Sequence, residues 1–217
     1  MKPVRILIAD DHEVVRHGVR TVLERQAGWV VCGEASTGRE AVAKAVDLRP
    51  DVVVLDLSMP ELNGLEATRQ LRRLLPVKIL ILTVHETDQL VTEVLDAGAN
   101  GYVLKADAGR TLVAAIRALL RGGEFFTERV HALAARRRAK SRRTVAVSGR
   151  ASGRLTLRER EVLQLLTEAR SNKEIGTALG ITTRTAETHR AHIMTKLNLH
   201  SMSELVRYAI RNRIIEP

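Results

Sequence analysis

The sequence predicts an α/β domain built on a parallel sheet, followed by a separate all-α domain. Up to about residue 122, short apolar runs alternate with helical periodicities. From Leu155 onward only helical patterns remain. Between the two, residues 129–154 hold nine Lys/Arg and no Asp/Glu. Alternating strands and helices with short connections imply right-handed crossovers and a sheet covered on both faces. Five strands and five helices fit a flavodoxin-like doubly wound fold with a five-stranded parallel sheet.

The apolar runs place strands at about 4–9, 29–35, 52–56, 78–84 and 101–104. Val15, Val19, Val22 and Leu23 recur at the i, i+4, i+7, i+8 spacing of one helical face. Further helices read at about 37–47, 64–73, 87–96 and 108–120. A helix over 125–138 follows, and the run from Arg136 to Arg143 leads into a Ser/Gly-containing stretch ending near Gly153. Like-charge crowding and poor apolar content mark that stretch as a flexible linker. Beyond it, Thr156 and Glu159, Ser171 and Glu174, and Ser201 and Glu204 have capping-box spacing. Gly180 is placed to end the second of these helices and Thr182 to cap the third. Four helices result, at 157–168, 172–179, 183–197 and 202–212, with a tight turn between the second and third. The division is a domain over 1–122, a helix and basic linker over 123–153, and a domain over 154–217.

A length of 217 residues has room for two such domains. Aromatic residues are only 2%, so aliphatic side chains must fill the cores. The longest apolar runs are too short to span a bilayer, and the N-terminus enters a strand pattern without a signal-peptide core. The lone Cys32 rules out an internal disulfide framework, and no Cys/His cluster has zinc spacing. A soluble cytoplasmic protein with no membrane partner is expected. The net charge of +10 is uneven: residues 1–128 carry 16 Lys/Arg against 18 Asp/Glu, residues 155–217 ten against seven. Such asymmetry points to an anionic partner, nucleic acid, for the C-terminal half.

Four strand-like runs end in residues suited to a phosphoryl group: Asp10-Asp11, Asp56, Thr83 and Lys105. In a parallel sheet those carboxyl ends share the edge where open α/β sheets bind ligands. A carboxylate attacks phosphorus to form an aspartyl phosphate, and the transferred charge must be neutralised. Mg²⁺ does this while held by one or two carboxylates, here Asp10 and Asp11 beside Asp56. Lys105 supplies a point charge and Thr83 a hydrogen bond. Taken singly, each is an ordinary turn, loop or strand residue; at successive strand ends they point to metal-assisted phosphoryl chemistry. Met59-Pro60 and Asn63-Gly64 read as a tight loop that leaves Asp56 accessible.

These residues resemble the receiver domain of bacterial two-component response regulators. The likeness rests on Asp10-Asp11, Asp56, Met59-Pro60, Gly64, Thr83, Gly98-Ala99 and Lys105. It implies that Asp56 takes a phosphoryl group from a phosphohistidine on a partner sensor histidine kinase. It also implies Mg²⁺ on Asp11, Asp56 and the Ser58 carbonyl, with Asp10 assisting through water. Thr83 and Tyr102 would be a switch pair that moves inward on phosphorylation. One departure is Ala106, where many receivers have proline, so a trans peptide is expected after Lys105. Ser58 and His85 stand two residues beyond Asp56 and Thr83, where they bear on water access and phosphoryl lifetime.

Residues Leu155–Ile210 resemble the helix-turn-helix domain of the NarL/LuxR type. The carrying segments are Leu155–Glu161, Asn172–Ile175, Thr185–Arg190 and Lys196-Leu197. At 100° per residue, Ala186, Ile193 and Leu197 share a buried face. Arg184, Thr188, Ala191 and Thr195 face away, a small polar surface suited to a major groove. Glu187 is placed to accept from a cytosine amino group; Lys173, Arg190 and Lys196 are the phosphate contacts. His189 and His192 read as packing or phosphate-contact residues. Many relatives have valine where Ala186 stands, which implies looser packing beneath the helix.

The combined reading is a transcription regulator, not an enzyme. It binds double-stranded DNA at paired half-sites as a homodimer when phosphorylated. Two alternatives compete. One is a DNA binder with a phosphorylation-independent receiver. The other is an aspartyl-phosphate phosphohydrolase, whose second carboxylate would stand where Ser58 does.

Overall fold

A computed structural model describes residues 2–84, 87–126, 155–212 and 214–215. His85, the linker and all but the first two residues of the helix expected over 125–138 lie outside the described residues.

Five strands form one sheet: β1 (Val4–Ala9), β2 (Trp29–Ala35), β3 (Val52–Asp56), β4 (Lys78–Thr83) and β5 (Gly101–Leu104). Their order is β2-β1-β3-β4-β5 and every pairing is parallel. Five helices cover the sheet: α1 (Glu13–Glu24), α2 (Gly38–Leu48), α3 (Gly64–Leu74), α4 (Asp88–Ala97) and α5 (Ala108–Leu120). Because side chains alternate along a strand, β1, β3 and β4 each feed two cores. Leu7, Val53, Leu55, Ile79 and Ile81 pack beneath α2, α3 and α4. Ile6, Ile8, Val52, Val54, Leu80 and Leu82 pack beneath α1 and α5. Burial on both faces explains why these strands read as unbroken apolar runs. The strand order reverses between β1 and β3, which creates a crevice at their carboxyl ends.

Loop residues fix where the helices begin. Thr37, Asn63 and Thr87 each accept a hydrogen bond from the backbone N–H three residues on, at the starts of α2, α3 and α4. Gly64 is required by a close approach. A Cβ there would lie 2.0 Å from the Asp56 carbonyl oxygen. The start of α3 is therefore pressed against the backbone of the expected phosphoacceptor.

The second domain holds α6 (Leu157–Thr167), α7 (Asn172–Leu179), α8 (Thr183–Leu197) and α9 (Met202–Arg211). Val162, Leu163, Leu166, Ile175, Ala186, Ile193 and Leu205 form its core. The boxes at Thr156/Glu159 and Ser171/Glu174 close in both directions. The third differs. Ser201 accepts from Glu204 N, but the Glu204 carboxylate takes the N–H of His200, one residue upstream. Gly180 ends α7 at φ 63°, and Thr182 caps α8 through Thr185 N. The first of these helices, α6, lies against α3 of the sheet domain. Among the described residues no helix is long and apolar enough to cross a membrane.

Candidate functional site

The crevice brings most of the strand-end residues together. Asp10 directly follows β1, Asp56 ends β3, Thr83 ends β4, and Lys105 opens a short 3₁₀ turn directly after β5. Lys105 Nζ lies 2.7 Å from Asp10 Oδ2 and 3.1 Å from Asp56 Oδ1. One ammonium therefore bridges two carboxylates. Asp10 is further fixed by the His12 backbone N–H, which donates to its Oδ1 at 2.9 Å. Arg16 donates to the Asp10 carbonyl at 2.8 Å. Thr83 is buried, one register position beyond Leu82, which pairs with Asp56. Asp11 points outward instead and meets His12 Nδ1 at 2.8 Å.

Burial sets the electrostatics. It pushes the Asp56 carboxyl up to about 6, and Asp10 beside it adds to the rise. Lys105 and the Leu57 N–H offset this only in part. For Lys105, burial alone would lower the ammonium pKa, but the two carboxylates outweigh it and the net shift is upward.

Asp56 Oδ2 is buried and, among the described residues, has no hydrogen-bond partner. Asp10, Asp11 and His12 bring possible ligand atoms within 4.8 Å of one another. An orphaned carboxylate oxygen beside hard oxygen donors fits a divalent cation.

Two sequence expectations change. Asp56 is not accessible: it is only 3% exposed. The loop that follows it is packed down, with Leu57, Met59, Leu62 and Asn63 all buried. Tyr102 is 1% exposed and packs in the α2–α4 core, so the inward position expected of the switch pair is already the one observed. The Lys105–Ala106 peptide is trans, as alanine leads one to expect. Ser58 lies in the loop, half-buried.

On α8 the helical arithmetic holds. Ala186 and Ile193 are fully buried, and Leu197 packs against the same core. Arg184, Glu187, Thr188, Ala191 and Thr195 are exposed together on the opposite side, and Lys173 is exposed on α7. Arg190 and His189 are half-buried, and His192 is exposed. Lys196 is exposed on the same helix, and its Nζ lies 2.7 Å from both Glu159 carboxylate oxygens, an ion pair that the sequence did not suggest. Glu159 is buried and closes the first capping box, which is why it needs that cation.

Comparison with known proteins follows the same division. Residues 6–117 match the response regulator receiver domain, and residues 153–209 match the bacterial regulatory proteins of the luxR family. The response regulator protein VraR of Staphylococcus aureus is 37% identical over 214 residues, covering 98% of this chain and 99% of that protein.

The chain belongs to the response regulator family.

A structure of the RcsB response regulator of Salmonella typhimurium is 30% identical, with a TM-score of 0.56 over 96% of this chain and 98% of that one. A structure of two RcsB dimers bound to two parallel DNAs is 28% identical, with a TM-score of 0.57 over 95% of this chain and 98% of that one. This response regulator thus joins a receiver to a LuxR-type DNA-binding domain, the composition of a phosphorylation-controlled transcription regulator.

Sequence reasoning about this regulator passed over two features. His12 stands beside the acidic pair, yet only the structure shows its ring on Asp11. Gln164 interrupts the apolar run Val162-Leu163-Gln164-Leu165-Leu166 and is 1% exposed. A polar residue inside an otherwise buried helix was the available signal, because such a group needs a partner.

Proposed function

We propose that Asp56 is the phosphoacceptor through which this regulator is controlled, with residues 1–122 as receiver and 154–217 as DNA-binding domain. An oxygen of Asp56 forms the new bond to phosphorus as the bond to a histidine nitrogen of a partner sensor kinase breaks. Lys105 carries the charge that neutralises the transferred oxygens, and Thr83 donates a hydrogen bond once the group arrives. Asp10, Asp11, Asp56 and the Ser58 carbonyl are the groups that hold Mg²⁺. When bound, that ion supplies charge neutralisation at the phosphoryl oxygens. The single observation that carries this reading is Lys105 bridging Asp10 and Asp56 at the carboxyl edge of the sheet.

The output is binding of double-stranded DNA at paired half-sites by a cytoplasmic homodimer. The exposed face of Arg184, Glu187, Thr188, Ala191 and Thr195 reads the major groove, and Lys173 and Arg190 meet phosphates. The exposure of that face supports this reading, as does the DNA-bound state of the RcsB dimers. Ser58 stands where a phosphohydrolase would need its second carboxylate, which favours a stored phosphoryl group over turnover.

The test is direct. Incubation with Mg²⁺ and a small phosphodonor should add one base-labile phosphoryl group, measured by intact mass, to the wild type and none to Asp56→Ala. A gain that persists in Asp56→Ala, or no gain in either, overturns the assignment.

A further inference from the structure

The receiver sorts its charge between the two ends of its sheet. In an all-parallel sheet with crossover helices, strand starts and helix ends share the edge opposite Asp56. A helix C-terminus carries partial negative charge and favours cations. Arg25 follows α1, Arg49 follows α2, Arg72 and Arg73 lie in the last turn of α3, and Arg121 follows α5. Only α4 differs, with Asp96 in its last turn. The dipole accounts for one cation at each helix end. It does not account for Arg73 beside Arg72, or for Lys78 at the start of β4.

Elsewhere on the receiver, cations are paired. Arg16 and Arg20 meet Glu34, Lys44 meets Glu40, and Lys105 meets Asp10 and Asp56. Among the described residues, none of Arg25, Arg49, Arg72, Arg73, Lys78 and Arg121 pairs with a carboxylate. All but Lys78 are exposed. Four of them converge on one loop. Two surface grooves flank Leu75-Pro76-Val77-Lys78, one bordered by Arg49 and Leu120, the other by Arg72, Arg73 and Leu74. Asp51 is the one carboxylate among the described residues that line them, and it accepts the Arg5 backbone N–H at 2.8 Å. Residues 1–128 hold 16 Lys/Arg against 18 Asp/Glu, so this positive face does not come from an excess of basic residues.

We propose that this face is a second DNA-contact surface, with Arg49, Arg72, Arg73 and Lys78 taking backbone phosphates beside the site that α8 reads. Open grooves edged by unpaired cations suit a polyanionic backbone better than a single enclosed anion. The chain also leaves the receiver at this edge, since Phe125 bridges to Gly101, the first residue of β5. The residues that follow, 129–154, carry nine Lys/Arg and no Asp/Glu. Positive charge therefore continues along the sequence from this face to the DNA-binding domain. Such contacts add affinity and salt dependence without reading sequence. The inference rests on α8 being the DNA-reading helix.

The test is made on the full-length chain by fluorescence anisotropy across a salt series. Two labelled duplexes are compared: a site that the protein selects from a random pool, and the same site extended on each side by about two helical turns. The variants are Arg72→Gln with Arg73→Gln, and Arg49→Gln with Lys78→Gln. Arg20→Gln with Arg110→Gln removes equal charge elsewhere on the receiver and is the control. Thermal melts confirm folding. In the wild type, log affinity should fall more steeply with log salt on the extended duplex. Each test variant should lower that slope by about 1–2 on the extended duplex and leave it unchanged on the short one. The control should match the wild type on both. Unchanged slopes in the test variants overturn the inference alone, and an equal fall in the control overturns it in favour of net charge. Unchanged DNA slopes with loss of binding to a glutamate-rich peptide assign the face to an acidic protein and overturn it too. No binding of the wild type to either duplex overturns it together with the role of α8.

Discussion

Replacing Asp56 with Asn should stabilise the metal-free protein at neutral pH, and the gain should vanish in acid. Asp56 is buried beside Asp10, and its pKa rises from the usual 3.8 to about 6. Between those two values the unfolded chain has lost this proton and the folded chain still holds it. The unfolded state therefore binds fewer protons, and stability falls as pH rises through this window. A shift of about two units corresponds to about 3 kcal/mol at about 1.4 kcal/mol per unit. Below about pH 4 both states of the wild type are protonated, and the penalty is absent. Above about pH 6 it is fully developed. Asn carries no such penalty at any pH. Urea unfolding of wild type and Asp56→Asn, without divalent metal, gives the stability difference at each pH. Subtracting the value at pH 4 from that at pH 7 removes every effect that does not titrate. The expected result is a relative gain for Asp56→Asn approaching 3 kcal/mol by order of magnitude. Saturating Mg²⁺ should narrow the gap by stabilising only the wild type. A difference that stays flat between pH 4 and 7, or that favours the wild type at pH 7, refutes the picture of two carboxylates crowded around one ammonium.

Further substitutions probe the fold and the DNA-reading surface. Gly64→Ala places a Cβ 2.0 Å from the Asp56 carbonyl, so it should destabilise by about 1–3 kcal/mol and slow phosphoryl incorporation, checked by urea unfolding and intact mass. Lys196→Met removes the cation beside Glu159, and because the lysine itself is exposed and partly screened it should lower stability by about 1 kcal/mol, while Lys196→Met with Glu159→Gln recovers much of that loss. Lys173→Ala and Arg190→Ala should weaken DNA binding alike across sequences, each lowering the slope of log affinity against log salt by about 1, measured by fluorescence anisotropy of labelled duplexes.

The parallel sheet was legible because β1, β3 and β4 are covered on both faces, and their apolar runs are too short for helices. The strand-end residues were legible for the same reason: each run stops where the chain leaves the core. Burial of Asp56 was not legible. Asp56 is 3% exposed, and exposure at a strand end is set by tertiary packing that no local periodicity reports. The burial of Tyr102 in the core beneath α2, α3 and α4 likewise follows from tertiary packing. The ion pair of Lys196 with Glu159 was not legible either. Glu159 was visible only as the N3 residue of a capping box. The exposed face of α8 needed no tertiary information, since Ala186, Ile193 and Leu197 alone fix which side is buried.

The central claim is that phosphorylation at Asp56 alters how this chain engages DNA. It is tested by measuring affinity for a duplex that the protein itself selects from a random pool, before and after incubation with phosphodonor and Mg²⁺. The same measurement is made on Asp56→Ala. The expected result is tighter binding to paired half-sites in the treated wild type, little change on a single half-site, and no change in Asp56→Ala. Equal shifts in both proteins, or none in a wild type shown by mass to be phosphorylated, would contradict the account.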